Sequence, residues 1–322
     1  MKKKNNILLI GCGFFSQNIY MPIINKKFER QNIFFFDERK DLKKRTALKN
    51  KCNYLEKINQ TTLKKNNITH CILCFDRSRS YQYSKLILNN GINLFAEKPV
   101  CSTSKELKEL LSIAKRKKSN FISSFQRAHD KKIIYLKQRI EKLKINFLEL
   151  NCNFYSGNFR HRKKTKIRTL EKLKNLKTIK SENKISYLIF LNRYWHIINA
   201  INFLYPFVKS YRNIKQLIFS IKDRTNYALS FKLNNKKFKI IMNSEKKIGW
   251  HEFYCVKFKK KKIFIKLDAP MKFNKNEIEK TSFFSQINFF FAKKNKIQYK
   301  NIKNCIDELR FIEYLWKKNY LK

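Results

Sequence analysis

Two groups of residues have the types and spacing for chemistry. The first is Gly11-Cys12-Gly13-Phe14-Phe15-Ser16. Between a strand and a helix, Gly11 permits the sharp bend, Gly13 lets the backbone approach a pyrophosphate, and the small Ser16 lets the helix pack on the strand. The N–H groups of Phe14, Phe15 and Ser16 at the helix start would meet the phosphates. A plain strand-to-helix turn has the same spelling, so this stretch alone leaves both readings standing. The second group is centred on Asp37, which stands 21 residues beyond Ser16, close to the roughly 20 expected for a carboxylate on an adenosine ribose. Asp37 could equally cap the helix that follows, and Arg39 and Lys40 could instead hold the extra phosphate of NADP. Lys98, in Glu97-Lys98-Pro99, and His196, in Asn192-Arg193-Tyr194-Trp195-His196-Ile197-Ile198-Asn199, can exchange protons but no spacing singles them out. Taken singly, Lys98 is a surface lysine among many and His196 a core histidine. His70, Cys71 and Cys74 are close in sequence, but residues i and i+3 of a strand face opposite sides. No second CxxC completes a site, so two core cysteines and no metal are expected.

The apolar pattern supplies the elements that must position these residues. The run at 7–10 reads as a buried strand, 17–27 as a helix, and 32–36 as a second strand that ends at Asp37. A helix over 39–50, a strand over 69–75 and a helix over 80–90 follow, with Gly91 as helix C-cap. A strand over 92–96 runs into Glu97-Lys98-Pro99. The helix over 104–117 takes Ser102 or Thr103 as N-cap and lines up Leu107, Leu110, Leu111 and Ala114. A strand over 120–125 closes this half. Alternating strand and helix predicts a doubly wound parallel sheet.

From about Gln126 the pattern changes. Residues 130–142 read as a helix. Period-two alternation then appears at Leu148, Leu150, Cys152 and Phe154, at Tyr227, Leu229, Phe231 and Leu233, at Phe238, Ile240 and Met242, and at Tyr254, Val256 and Phe258. Such strands predict an α+β domain with a largely antiparallel open sheet, one face solvated. The basic stretch 160–184 is expected to be a helix or an exposed excursion. Ile302, Cys305, Ile306, Leu309, Ile312 and Trp316 stripe a C-terminal packing helix. Two domains are expected, 1–125 and 126–322.

The 322 residues are enough for real cores. Lys and Arg total 74 against 23 acids, a net charge of +51. That balance usually points to nucleic acid or an acidic surface. Here the charge is spread along the whole chain and no binding module accompanies it. Heavy use of Lys, Asn, Ile and Phe, all with AT-rich codons, explains it as base composition. No specific nucleic-acid partner is expected. The 8 cysteines are scattered in apolar contexts, as for reduced thiols in a cytosol. No apolar stretch approaches the ~20 residues that span a bilayer, and the N-terminal run is broken by Gly11 and Gly13. A cytoplasmic protein with no membrane partner is expected.

The first half resembles the glucose–fructose oxidoreductase / inositol dehydrogenase / rhizopine-catabolism (Gfo/Idh/MocA) family. The resemblance rests on the opening GCGFFSQNIYMPII with Pro22, on Asp37, and above all on NNGINLFAEKPVCSTSKELKELLSIA. It covers 1–127 firmly and the remainder loosely. It implies an N-terminal Rossmann domain, a C-terminal open-sheet domain, NAD or NADP as cofactor, and hydride transfer with a sugar-like or cyclic polyol or carbonyl substrate. Lys98 matches the family's EKP lysine beside the nicotinamide, where its pKa should fall toward neutrality. His196 matches the acid/base histidine of an Asp-x-Gly-x-His-x-x-Asp motif at the start of a helix. Both acids of that motif are Asn here, Asn192 and Asn199, and its glycine is Tyr194. The resemblance puts Asn192, Tyr194 and Arg127 at the substrate. It puts Phe75, Asp76 and Glu97 beside the cofactor, although Phe75-Asp76 replaces the family's frequent Thr-Pro. Dimers or tetramers are implied by family analogy. A nucleotide-binding protein of the same fold without redox activity is the alternative, and a basic nucleic-acid binder is the third reading.

Overall fold

The computed structural model describes residues 6–75, 79–142, 149–155, 182–221, 226–243, 251–258, 261–268, 275–292 and 299–320. They form two compact units. The first comprises the described residues up to Gln126 and, after a return of the chain, those between Phe273 and Ile306.

In the first unit, strands β1 (Asn6–Ile10), β2 (Ile33–Phe36), β3 (Asn53–Tyr54), β4 (Ile68–Leu73), β5 (Asn93–Glu97) and β6 (Phe121–Ser124) lie in the order β3-β2-β1-β4-β5-β6. Every pairing is parallel. β1 and β2 are continuous apolar runs because helices cover both faces of such a sheet; Ile7–Ile10 are fully buried. After β1 a π-helical turn, Ser16–Tyr20, leads into α1 (Met21–Ile24), with Pro22 in its first turn. Helices α2 (Lys40–Asn50), α3 (Gln60–Lys65), α4 (Ser80–Asn89) and α5 (Ser104–Arg116) connect the strands. α5 starts at a capping box in which Thr103 and Glu106 satisfy each other's backbone N–H. Gly91 ends α4 at φ +73°. The exposed two-residue β3 and the polar α3 carry too little apolar pattern to be read from sequence.

The doubly wound parallel sheet is as expected, and the chain returns to this unit after Phe273. α8 (Ser282–Phe291) buries Phe283, Gln286, Ile287 and Phe290 within the first unit. Spacings of three and four put those side chains on one stripe. They join a core with Ile7, Leu9, Ile33, Phe35 and Phe95. His70 is part of this packing, 5.6 Å from the Phe290 ring. Its ring nitrogens meet Thr69 Oγ1 at 2.9 Å and Asn93 Nδ2 at 3.2 Å. Burial lowers its pKa to about 4, so it is a neutral core imidazole. Cys71 is buried and Cys74 packs against the core. Among the described residues no group of three His, Cys, Asp or Glu side chains could hold a metal ion.

The second unit holds α6 (Lys131–Lys142), β7 (Glu149–Tyr155), α7 (Glu182–Leu204), β8 (Lys215–Ile221), β9 (Tyr227–Leu233), β10 (Lys236–Asn243), β11 (His251–Lys257) and β12 (Lys262–Asp268). The sheet order is β12-β11-β7-β10-β9-β8. Pairings are antiparallel except β7 with β10, which is parallel. Asn234 and Asn235, at φ 49° and 60°, make the two-residue turn between β9 and β10. Alternate residues of β9 are buried: Tyr227, Leu229, Phe231 and Leu233. Phe231 stacks on Phe238 at 4.6 Å and meets Phe207 at 5.3 Å. The last helix, α9 (Lys300–Tyr320), brings Phe311 to within 5.4 Å of Phe207. Edge strands β8 and β12 were not foreseen, because their apolar triplets, Leu217-Ile218-Phe219 and Ile263-Phe264-Ile265, do not alternate. Most of the basic stretch 160–184 lies outside the described residues. No helix among the described residues is long and apolar enough to cross a membrane.

Phe290→Ala tests the return of the chain into the first core. It should lower the unfolding free energy by about 3–5 kcal/mol in a urea titration, and a loss under about 1 kcal/mol would remove α8 from that core.

Candidate active site

The glycine turn sits where the strand order reverses, between the C-terminal ends of β1 and β4, the usual dinucleotide crevice of such sheets. Gly11 has φ +92°, and a Cβ there would stand 2.5 Å from the Cys74 carbonyl oxygen. The Gly11 N–H donates to the Phe36 carbonyl and the Cys74 N–H to the Ile10 carbonyl, each at 2.8 Å. Gly11 is thus required by chain packing. Gly13 differs: a Cβ there would meet nothing within 4 Å. Its missing side chain leaves open space beside the turn, as a pyrophosphate cradle needs. Ser16 is fully buried, while the Phe15 side chain is 36% exposed and Phe14 packs against the core.

Asp37 follows β2 and is buried. Its Oδ2 accepts from the Cys12 N–H at 2.8 Å, which ties the end of β2 to the turn. Its Oδ1 accepts from the Arg39 N–H at 3.0 Å, and the Arg39 guanidinium reaches the two oxygens at 2.9 and 3.0 Å. Phe75 follows β4 and lies 5.0 Å from the Tyr83 ring. Asp76 lies outside the described residues.

At the end of β5, Glu97 turns its carboxylate inward. It accepts from the Tyr20 hydroxyl and, at 3.0 Å, from Ser124 Oγ. Burial pushes its pKa up, and these hydrogen bonds oppose the rise. Burial and the nearby Glu97 charge push Tyr20 well above its ordinary value, so the phenol stays a donor. Ser124 Oγ also contacts Gln286 Oε1 at 3.4 Å. Glu97 is therefore an anchor joining β5, β6, α8 and the π-helical turn. That anchor sets where half-buried Lys98 leaves the sheet, before a cis Lys98–Pro99 peptide.

In the second unit the stretch Asn192–Asn199 lies in the middle of α7, not at a helix start. Half-buried Asn192 is one turn before His196 and shares its face. Tyr194 is fully buried, stacked 4.8 Å from Phe190 and 5.7 Å from both Phe219 and Tyr227, so it fills an aromatic core. His196 is 3% exposed, with Nε2 3.6 Å from Glu252 Oε1, an ion-pair distance but long for a hydrogen bond. Arg127 is also spent on Glu252: its Nε reaches the two oxygens at 2.8 and 2.7 Å, and its Nη2 contacts Oε1. The Tyr254 hydroxyl donates to Oε2 at 2.7 Å. Burial alone would raise the Glu252 pKa; the Arg127 charge overrides it and holds the carboxyl well below the usual range. Glu252 was missed from sequence. The available signal was an acid in register with Tyr254 and Val256, the inward positions of β11.

Glu308 of α9 was missed too. Trp195 Nε1 donates to it at 3.0 Å, and the amides of Asn199 and Asn202 donate at the same distance. All three donors are neutral. Burial pushes this carboxyl up to about 7 despite them. Asn199 is thereby committed to tying α7 to α9.

Because Glu308 binds its proton more tightly folded than unfolded, stability is fullest below the ordinary glutamate range and falls as pH rises toward 7. Glu308→Gln should flatten that fall, which amounts to roughly 1.4 kcal/mol per pH unit in wild type. Urea midpoints measured between pH 4.5 and 7 give the check.

Residues 5–125 match the family model described as an oxidoreductase family with an NAD-binding Rossmann fold. No curated protein matches the sequence. Solved structures with the same fold include a dehydrogenase from Clostridium difficile, 16% identical, covering 98% of this chain and 100% of that one at a TM-score of 0.66. Myo-inositol 2-dehydrogenase from Lactobacillus plantarum is 12% identical, with coverage of 99% and 98% and a TM-score of 0.72. Scyllo-inositol dehydrogenase from Lactobacillus casei, solved with NAD(H) and scyllo-inositol, is 13% identical, with coverage of 98% of both chains and a TM-score of 0.72. The pinned Gly11 turn, the open Gly13 and the parallel sheet thus agree with the match: residues 5–125 fit the model of the Gfo/Idh/MocA oxidoreductase family with its NAD-binding Rossmann fold, and nearly the whole chain carries the fold of solved inositol dehydrogenases and of a Gfo/Idh/MocA family oxidoreductase from Vibrio cholerae.

Proposed function

We propose that this protein is an NAD-dependent oxidoreductase acting on a CH–OH group of a sugar-like or cyclic polyol, or on the corresponding carbonyl. The observation that carries the reading is the glycine turn at the strand-order reversal, with open space at Gly13. Gly11, Gly13 and the N–H groups of Phe14, Phe15 and Ser16 would hold the pyrophosphate. Asp37 would face the adenosine ribose. Its negative charge, with the Arg39 guanidinium tied to it, favours NAD over NADP. Phe75, Asp76 and Glu97 would border the nicotinamide end.

The nicotinamide, when bound, supplies the carbon that takes or gives the hydride. Lys98 would hold the reacting hydroxyl through Nζ, and the His196 imidazole would exchange the proton. Asn192, on the His196 face of α7, would position the substrate. Arg127 and Tyr194 are engaged with Glu252 and the aromatic core, which favours indirect roles for both. A soluble cytoplasmic protein assembled as dimers or tetramers fits the family resemblance, and exposed Ile218 and Phe264 on the sheet offer apolar surface for assembly. The Asn199–Glu308 bond favours a second reading, a nucleotide-binding protein with no turnover, because it spends one motif amide on packing.

Titration with NADH and NADPH at physiological salt, with ATP and polyphosphate as anion competitors, separates these readings. Saturable binding of NADH that is lost in Gly13→Asp is expected. Binding that ignores Gly13 and follows charge alone would overturn the reading. Lys98→Met should abolish turnover on a polyol panel while cofactor affinity stays within about threefold; cofactor binding with no wild-type turnover on that panel would select the second reading.

A further inference from the structure

We propose that Glu252, clamped by Arg127, is the positioning carboxylate of His196, supplied by a strand of the sheet instead of by the helix that bears the histidine. This rests on the reading of His196 as the proton-exchanging group. A histidine that exchanges protons needs a group that fixes its ring and stabilises its charged form. The sequence around His196 offers only the amides Asn192 and Asn199, which cannot carry charge. Asn199 is turned to Glu308. Glu252 is at the right place, with Oε1 3.6 Å from His196 Nε2.

Glu252 is completely buried, where a lone carboxyl would keep its proton. Two features prevent this. The Arg127 guanidinium lies across both carboxylate oxygens, and the Tyr254 hydroxyl donates to Oε2. Tyr254 is itself held protonated by burial and by the Glu252 charge. Among the described residues, further titratable groups beside the cluster are Cys152 on β7, kept as a neutral thiol chiefly by burial, Cys255, whose charge acts on Cys152, and Asp130, whose charge supports Arg127. A fixed negative charge is therefore presented to His196. The resulting chain is Arg127, Glu252, His196, with elements 126–129, β11 and α7 each contributing one member.

The test is a pH titration of wild type, Glu252→Gln and Glu252→Asp with 15N-labelled histidine, the His196 signal assigned through His196→Gln. Near-UV circular dichroism checks folding. Removing the charge should shift the His196 midpoint down by about one unit or more, and Glu252→Asp should restore most of it. The acidic limb of the kcat/KM profile should move by the same amount, with NADH affinity unchanged. If Glu252→Gln does not fold because Arg127 is left unpaired, the double variant Arg127→Met, Glu252→Gln leaves no buried charge and should still titrate below wild type. An unchanged His196 midpoint in the folded variants overturns the proposal. A shifted midpoint with full turnover in His196→Gln leaves Glu252 as the partner of His196 but removes the catalytic reading on which its role rests.

Discussion

The first unit depends on a missing side chain. At Gly11 the end of β1 comes so close to the end of β4 that a Cβ would fall 2.5 Å from the Cys74 carbonyl. With that position clear, backbone hydrogen bonds level the ends of β1, β2 and β4, and Asp37 reaches the Cys12 N–H. The crevice at the reversal of strand order is thus fixed by backbone contact. The geometry then passes outward in steps: Ser16 is buried under the turn, Tyr20 follows on the same helical segment, and its hydroxyl fixes Glu97 and with it the departure of Lys98.

Three inward-turned glutamates, Glu252 and Glu308 buried and Glu97 half-buried, show how a protein this basic treats its interior acids. Among the described residues Glu97 and Glu308 take hydrogen bonds from neutral donors, and burial pushes both toward the protonated form, opposed at Glu97 by those bonds and the Lys98 charge. Glu252 has a guanidinium against it and stays charged. Losing one partner of such a buried pair typically costs about 3–5 kcal/mol, so an ion pair kept only for stability is a poor arrangement compared with apolar packing. A charged, fully buried carboxylate beside an imidazole is better understood as an electrostatic device. The two neutral-donor sites act as joints: Glu97 joins β5 to β6, α8 and the π-helical turn, and Glu308 joins α9 to α7.

The large net charge does not shape either interior. In β12, Lys262 and Lys266 bracket the apolar Ile263-Phe264-Ile265, and in β8 the one lysine is the first residue. Lys43 is an instructive exception: it is 2% exposed, and its ammonium bonds the Glu56 carbonyl and carboxylate across 13 residues.

The sequence by itself determined the parallel half. Strand, glycine turn, helix and the acid after β2 are all legible as local patterns. It also determined the alternation of β7, β9, β10 and β11, and the candidates Lys98 and His196. Only the tertiary structure decided what those candidates are held by. Glu252 is 56 residues from His196 and 125 from Arg127; Glu308 is 109 from Asn199; Gln286 is 162 from Ser124. No local pattern encodes such pairs, because a buried acid has the same spelling whether its partner is a cation, an amide or water. The return of α8 to the first core has the same cause. An amphipathic stripe states that a helix must bury one face, and the folded chain alone decides against what.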